Sequence, residues 1–542
     1  MHNIINRSLA YKTFSALLLI SAVTLSGCDN KDKNPPPPPE KPITEKSVVF
    51  NDPGKLLIPF SFKKTMEQIA ATSGGISTTS ESMLQSMIDS FAENSFIHPV
   101  SGKSIEVTSR PLESKLNPKD LLDPKSPDGM IPVGLFNRFD LAPADGSNCG
   151  EYRIVYAKNS SNFDDRLLMI FEARVPNPNP NEGLVGCAPI TDFWAKRSND
   201  IDAAQTVSEL EKFYYQGIPG VKPVVNAKNY GMPLGQLRVN LFKTPEPGKI
   251  PWSLREFLVG FDQHGQANFK PEPVDDSPVS ALFRAIAELP PGFDEADQND
   301  LRQSFLGQSL CNLVNPDRID AKATPSDIIN GISAGYDPRF NDFESISQGN
   351  VDDLAHNTDV KLLEQVQNRL AALTDLSGVS SVQLINRAGT MTCGGCHDFS
   401  AGKELGNGAT WPGKTLSFVH IDENGKLSPL LTDFFIPKRV QIAQHFKEKR
   451  ESFHQTKAAC PGVTSDSTEA ATPKVKQARG LDVYEQVDNV RSQVEEIIQA
   501  PAEQAEKSEK LKALLPELQQ AIDSARKTER ASEGAYTPAR TH

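Results

Sequence analysis

Between about residue 131 and residue 270 the chain carries four strand-length segments, GEYRIVYA, RLLMIFEARV, GQLRVNLF and WSLREFLVGF. They alternate or run apolar and are rich in β-branched and aromatic residues. Turn clusters such as NPNPNEG separate them, and one helical stretch, VSELEKFYYQG, interrupts them. This pattern predicts a mostly antiparallel sheet in an α+β or sandwich-like domain. Arg153, Arg174, Arg238 and Arg255 sit within or at the ends of these segments. They either line one face and bind an anion, or are solvated or paired with glutamates such as Glu151, Glu172 and Glu256.

On either side the pattern becomes helical. SESMLQSMIDSFAE (Ser80–Glu93) sets Met83, Met87, Ile88 and Phe91 at helical spacing behind Ser80 as a cap, with the methionines read as core. From about residue 278, PVSALFRAIAEL, DLRQSFLGQSLCNLV and VKLLEQVQNRLAAL place apolar residues three and four apart, and SSVQLINRAG follows. In the tail Val483, Val487, Val490, Val494 and Ile497 make a short heptad-like stripe, broken by Pro501 and Pro516. A stripe this short predicts packing on the body rather than a long coiled coil.

The fold class expected is therefore α+β: an antiparallel β-rich N-terminal domain, a mainly helical region and a helical C-terminal tail; the helical region also contains CGGCH (Cys393–His397), which resembles a cytochrome c haem motif. The boundaries expected are a leader over 1–27 whose closing LSGC (Leu25–Cys28) resembles that of a lipoprotein signal peptide, a Pro-rich linker over 28–46, a β-rich α+β domain over 47–275, a helical cytochrome c-like region over 276–460 and a polar helical tail over 461–542.

The haem motif is CGGCH, Cys393–His397. Thiols at C-x-x-C spacing can form two thioethers to one haem, and the next residue, His397, then lies beneath the iron. The chain has only seven cysteines and nine histidines in 542 residues, so chance is a poor source of the match. No methionine follows Met391, so the usual methionine sixth ligand is missing on that side. His420, His445 and His454 lie downstream, and His420, in the strand-like LSFVHI, is the first candidate, with a structural histidine as its alternative. A bis-histidine iron has a lower potential than a His/Met one. The rivals are a Cys393–Cys396 disulfide and a zinc site; zinc lacks a second C-x-x-C pair, and the thioredoxin βαβ context is absent.

The overlapping GATWPGKT (Gly408–Thr415) fits the phosphate-loop pattern but not its setting. That loop needs a buried strand before it and a helix after it. Here a polar stretch precedes, LSFVHI reads as a strand, and Pro412 removes an amide donor. No nucleotide is expected.

The N-terminus states the compartment. Arg7 and Lys12 precede an apolar run, Phe14–Leu25, too short to span a bilayer, and LSGC (Leu25–Cys28) closes it. LSGC resembles a lipobox, which implies a lipid on Cys28 and a chain anchored in the bacterial envelope, facing the periplasm. In enterobacterial lipoproteins, which this leader resembles, an aspartate just after the lipidated cysteine, here Asp29, tends to keep the protein on the inner membrane, so that location is expected ahead of the outer membrane. The stalk that follows contains Pro35–Pro39, a polyproline II run. Net charge is −12, which argues against nucleic acid or an anionic membrane surface as partner. If lipid takes Cys28 and haem takes Cys393 and Cys396, then Cys149, Cys187, Cys311 and Cys460 remain, enough for two disulfides in an oxidising compartment. The nearest pairing is Cys149–Cys187, leaving Cys311–Cys460; four cysteines allow three pairings.

Several stretches together resemble a recurrent type of bacterial lipoprotein: Arg138–Ala157, Pro176–Cys187, Gly235–Phe257 and Thr392–His420. The resemblance covers residues 131–270 and 380–440, about half the chain. It implies a shared architecture in which CGGCH belongs to a fixed module, and implies no particular activity. Two functions follow as expectations. The first is an envelope-anchored lipoprotein with one covalent c-type haem on Cys393, Cys396 and His397, serving electron transfer or redox sensing with a redox protein partner. The second is a non-catalytic, disulfide-stapled lipoprotein that binds an envelope partner or an anionic ligand through its β-rich domain. No G-x-S-x-G elbow, H-E-x-x-H or EF-hand loop marks another enzyme class.

Overall fold

The computed structural model describes residues 42–97, 104–160, 165–231, 235–242, 252–262, 264–274, 282–285, 294–314, 325–332, 354–373, 379–413, 415–416, 418–453 and scattered helical residues between 489 and 524. Cys28, the signal-peptide and proline segments, Cys460, His454, Val483, Val487 and Val494 lie outside them. Most of PVSALFRAIAEL does too.

The centre is an antiparallel sheet of seven strands: β1 (Val49–Phe50), then β4 (Met130–Arg138), β5 (Asn148–Lys158), β6 (Leu167–Pro176), β7 (Gln236–Leu241), β8 (Ser253–Phe261) and β9 (Ala267–Glu272) in that spatial order. Two short strands, β2 (Ser95–Ile97) and β3 (Ser104–Glu106), pair separately. The α+β class expected above is what the chain adopts, with the four named segments forming β5, β6, β7 and β8. β4 was not named among them. Its IPVGLF carries Pro132 and Gly134, which read as breakers, and the ladder to β5 does shift register between them. Its other neighbour, β1, pairs only with Leu135 and Phe136, so little on that side needs the amide that Pro132 lacks.

Period-two alternation gives the sheet two faces. Tyr152, Ile154, Tyr156, Met169, Phe171, Leu237, Val239, Phe257 and Val259 point one way into an apolar core. Helices Phe62–Thr72, Ser80–Ser90, Ala188–Lys196 and Ala203–Tyr215 supply its other wall through Met66, Ile69, Met83, Met87, Trp194 and Phe213. The methionines are core, as expected. The cap of Ser80–Ser90 is Thr79 rather than Ser80: the Thr79 hydroxyl accepts from Ser82 N in a reciprocal capping box, and Ser80 is the first helical residue.

The opposite face carries Val155, Ala157 and Leu168 beside a row of buried charges. Arg153 pairs with Glu151 (2.6 Å) and Glu172 (3.0 Å), Arg238 with Glu256 (3.0 Å) and Glu172 (3.5 Å), and Arg174 with Glu151 (3.6 Å). The pairing reading of these arginines holds, but solvation does not: Arg153, Arg238 and all three glutamates are buried. Nor do the four arginines share a face. Arg255 lies on the other side of the sheet and donates to the carbonyls of Ser90 and Thr108.

Residues from 42 onward form one compact unit. Sheet residues Val133, Phe136, Val155 and Leu168 share one apolar cluster with Leu384, Ala388, Cys396, Trp411, Ile421 and Phe435 of the later region. In the tail, Val490 and Leu518 are buried in the first-face core and Ile497, Leu514 and Ala521 pack against it, so the tail meets the body through these apolar residues. Cys149 and Cys187 form a disulfide, tying the start of β5 to the turn before helix Ala188–Lys196. Cys311 is also disulfide-bonded, to a partner outside the described residues.

Candidate functional site

The helix Ser381–Gly389 delivers the CGGCH motif. Its N-terminus is capped reciprocally by Ser380 and Gln383. After Gly389 the chain turns tightly: Thr392 Oγ1 donates to Gly389 O (2.9 Å) and accepts from Gly395 N (2.9 Å). A Cβ on Gly395 would lie 1.8 Å from Gly389 O, so no larger residue fits there without moving the turn. A widened π-type turn over Gly395–Phe399 then sets the direction of Cys396 and His397.

Both motif cysteines are buried thiols outside any disulfide, 1% and 3% exposed. Cys393 packs with Trp252, Leu254 and Val274, and Cys396 packs in the large cluster on the second sheet face. Burial pushes the Cys396 thiol well above its ordinary pKa, and the neighbouring Cys393 adds to this. Cys396 therefore stays protonated, unlike the low-pKa cysteines of thiol–disulfide enzymes.

His397 lies among aromatic rings. Its ring centroid is 5.0 Å from that of Trp252 and 4.6 Å from that of His420. Burial holds its pKa down to about 4; a hydrogen bond to the Phe418 backbone opposes this, and the Arg238 guanidinium adds a smaller push downward. Nδ1 is buried with no hydrogen-bond partner. The imidazole is thus neutral near pH 7 and carries a lone pair. Thr415 Oγ1 donates to His397 O (2.6 Å).

His420 comes from the segment after the β10 (Glu404–Gly406) and β11 (Ala409–Thr410) hairpin. The described residues of LSFVHI form no strand, Ile421 making only an isolated bridge to Leu427. They are irregular, and Phe418 has φ +64°, a left-handed backbone rare for an aromatic residue. Such strain persists only where surroundings enforce it. Here Phe418 stacks on Trp252 (5.3 Å between centroids) while its backbone receives the His397 hydrogen bond. His420 Nδ1 lies 3.1 Å from Ser428 Oγ, and Nε2 lies 3.7 Å from Cys396 Sγ. Phe435 and Trp411 continue the aromatic wall. The phosphate-loop stretch holds β11 and a turn; the strand before it is only the three-residue β10 of the same hairpin, no helix follows it directly among the described residues, and its Thr415 is engaged with His397.

The structure therefore brings Cys393, Cys396, His397 and His420 together. His445 is elsewhere, on helix Ile436–Lys449, against Glu451 and Phe453. Sequence reasoning missed Trp252, Phe418 and Ser428. The only local hints were the sequence neighbours of His420 and the tryptophan that opens β8. Trp252 is fixed by donating Nε1–H to Asn240 Oδ1 of β7 (3.1 Å). Among the described residues no cluster of three or more His, Cys, Asp or Glu is arranged as a metal-ion site.

The donor chemistry fits a covalent haem: two thiols at the required spacing, an adjoining imidazole with a buried unpartnered nitrogen, a second imidazole beside it, and aromatic walls. No family model, curated protein or solved structure matches the chain. Among the described residues no helix is long and apolar enough to cross a membrane.

Proposed function

We propose that this chain is a lipid-anchored envelope protein in which Cys393 and Cys396 would hold one covalent haem and His397 and His420 would offer it their imidazole nitrogens, for electron transfer or redox sensing. The observation that carries this reading is that His420, 23 residues on in sequence, folds back against His397 and the Cys396 thiol of the C-x-x-C-H segment. When bound, haem supplies reversible one-electron exchange, and two histidine ligands place it at lower potential than a His/Met pair.

The chain's own residues have separate tasks. Cys393 and Cys396 hold the group. His397 offers a neutral imidazole, and Phe418 and Thr415 fix its orientation. Ser428 fixes the direction of the His420 ring. Trp252, Trp411 and Phe435 exclude water from this wall. Orientation of a ligating histidine through its second nitrogen is a general device of metal centres. The lipid on Cys28 and the periplasmic setting are part of the same proposal.

The test is expression of the full chain with the cytochrome c maturation machinery, followed by a pyridine haemochrome spectrum. Covalent haem with a low-spin spectrum that becomes high-spin in His420→Ala is the result expected. Folded, lipidated protein without covalent haem overturns the reading, and thiol titration then shows whether Cys393 and Cys396 have oxidised to a disulfide instead.

A further inference from the structure

His420 lies in an irregular segment, yet its ring is held at a defined place. Beyond its direct bonds to Ser428, the segment that carries it is tied to the sheet. Arg166, just before β6, is 3% exposed. Its Nε donates to Glu423 Oε1 (2.6 Å), Nη2 to Glu423 Oε2 (3.1 Å) and Nη1 to Leu416 O (3.3 Å). Its guanidinium also lies 5.1 Å from the centroid of the Phe242 ring. The two points it grips, Leu416 and Glu423, bracket both Phe418 and His420. A planar, two-pronged guanidinium gives direction as well as attraction, which a lysine cannot reproduce.

We infer that Arg166 is a positioning residue for this site: its clamp on Leu416 and Glu423 sets the approach of His420 to His397. The inference rests on the reading of those two histidines as a ligand pair. It adds that the sheet, and not the motif helix, controls whether the second ligand is in place. Loss of the clamp lets the Phe418–His420 segment relax away from His397, leaving the thioether residues and His397 untouched.

The experiment uses the full chain carrying Arg166→Ala, the charge-exchanged pair Arg166→Glu with Glu423→Arg, and Arg110→Ala as a comparison. Arg110 forms an even more deeply buried ion pair with Glu113, away from this segment, so its loss costs stability without touching His420. In haem-loaded protein, Arg166→Ala is expected to keep covalent haem, to shift part of the iron from low to high spin, and to bind cyanide about tenfold or more tightly, the scale seen for outer-shell partners of metal ligands. The exchanged pair restores the low-spin spectrum in part, and Arg110→Ala leaves it unchanged. In haem-free protein with selectively labelled histidines, the ring-proton NOE between His397 and His420 is present in the parent and lost in Arg166→Ala. A folded Arg166→Ala protein with parental spectrum and NOE overturns the inference, as does an equal spectral change in Arg110→Ala. If the parent holds no covalent haem, the ligand reading fails on its own while the NOE still decides the clamp.

Discussion

The two faces of the central sheet are built from the same strands, one residue out of step, and they differ in kind. The first is a lattice of aromatic and aliphatic side chains: Tyr156 packs on Phe62 and Phe171, and Phe171 on Tyr230. Its few polar atoms are dealt with locally, as where Tyr156 donates to Phe60 O. The second face buries alternating arginines and glutamates across β5, β6, β7 and β8, and holds Trp252 and Asn240 against the CGGCH segment. Apolar packing tolerates exchange of similar shapes, whereas a buried charge row requires each partner. The first face accounts for the fold, and the second is where the chain spends stability to place a site.

The largest effect should come from breaking the charge row. Arg238→Met leaves Glu256, fully buried on the neighbouring strand, without its arginine, and is expected to cost about 3–5 kcal/mol. On the first face, Met169→Leu should cost less than about 1.5 kcal/mol. Urea midpoints measure both, and similar costs would mean that the faces do not differ as argued.

The disulfide comes next. Cys149→Ser with Cys187→Ser removes a link across 38 residues, and the chain-entropy model gives a loss of about 3–4 kcal/mol. This bond belongs to the first-face core, so far-UV structure and the His397–His420 contact should survive it at moderate temperature.

pH separates the site from the charge row. His397 has a folded pKa of about 4 against an ordinary value of 6.5, so the unfolded chain binds the extra proton between these values. Stability from this group is complete above pH 6.5 and falls as pH drops toward 4, by about 3 kcal/mol at most. Asp140 and Glu151 have folded values near 2: burial alone would raise them, but Arg138 beside Asp140 and Arg153 beside Glu151 outweigh it. Their contribution is present above about pH 4.5 and is lost below that. A His397→Gln variant should therefore lose the limb between pH 6.5 and 4 and keep the steeper one below it. Thermal melts from pH 3 to 8 decide this.

What could be read from the sequence follows the range of the interaction. Alternation in GEYRIVYA and RLLMIFEARV is local, and so is the C-x-x-C-H spacing; both were legible. The Cys149–Cys187 pairing was legible because the cysteines flank adjoining elements. β4 was obscured because Pro132 and Gly134 are tolerated only beside a two-residue edge partner, a tertiary fact. LSFVHI looked like a strand because its apolar residues do pack, Val419 in the core and Phe418 on Trp252, but through a strained loop rather than a ladder. The burial of the arginine–glutamate row was invisible, since its cover comes from residues more than a hundred positions later. Arg166 and Trp252 were hidden for the same reason.

The smallest effect tests whether the second face is also demanding in its neutral polar contacts. Trp252→Phe keeps a ring against His397 and Phe418 but removes the donor to Asn240 Oδ1, leaving a buried amide oxygen unpaired. The expected cost is about 1–2 kcal/mol. Replacing both partners, Trp252→Phe with Asn240→Leu, should recover most of it, because a matched apolar pair leaves nothing unsatisfied. The smaller ring also admits water to His397, so its pKa should rise from about 4 toward the ordinary value, as histidine NMR titration would record. If the double variant is no more stable than the single one, shape rather than hydrogen bonding holds Trp252. If the titration does not move, the low pKa of His397 owes little to the indole, and the burden shifts to the strained Phe418 segment that covers its other side.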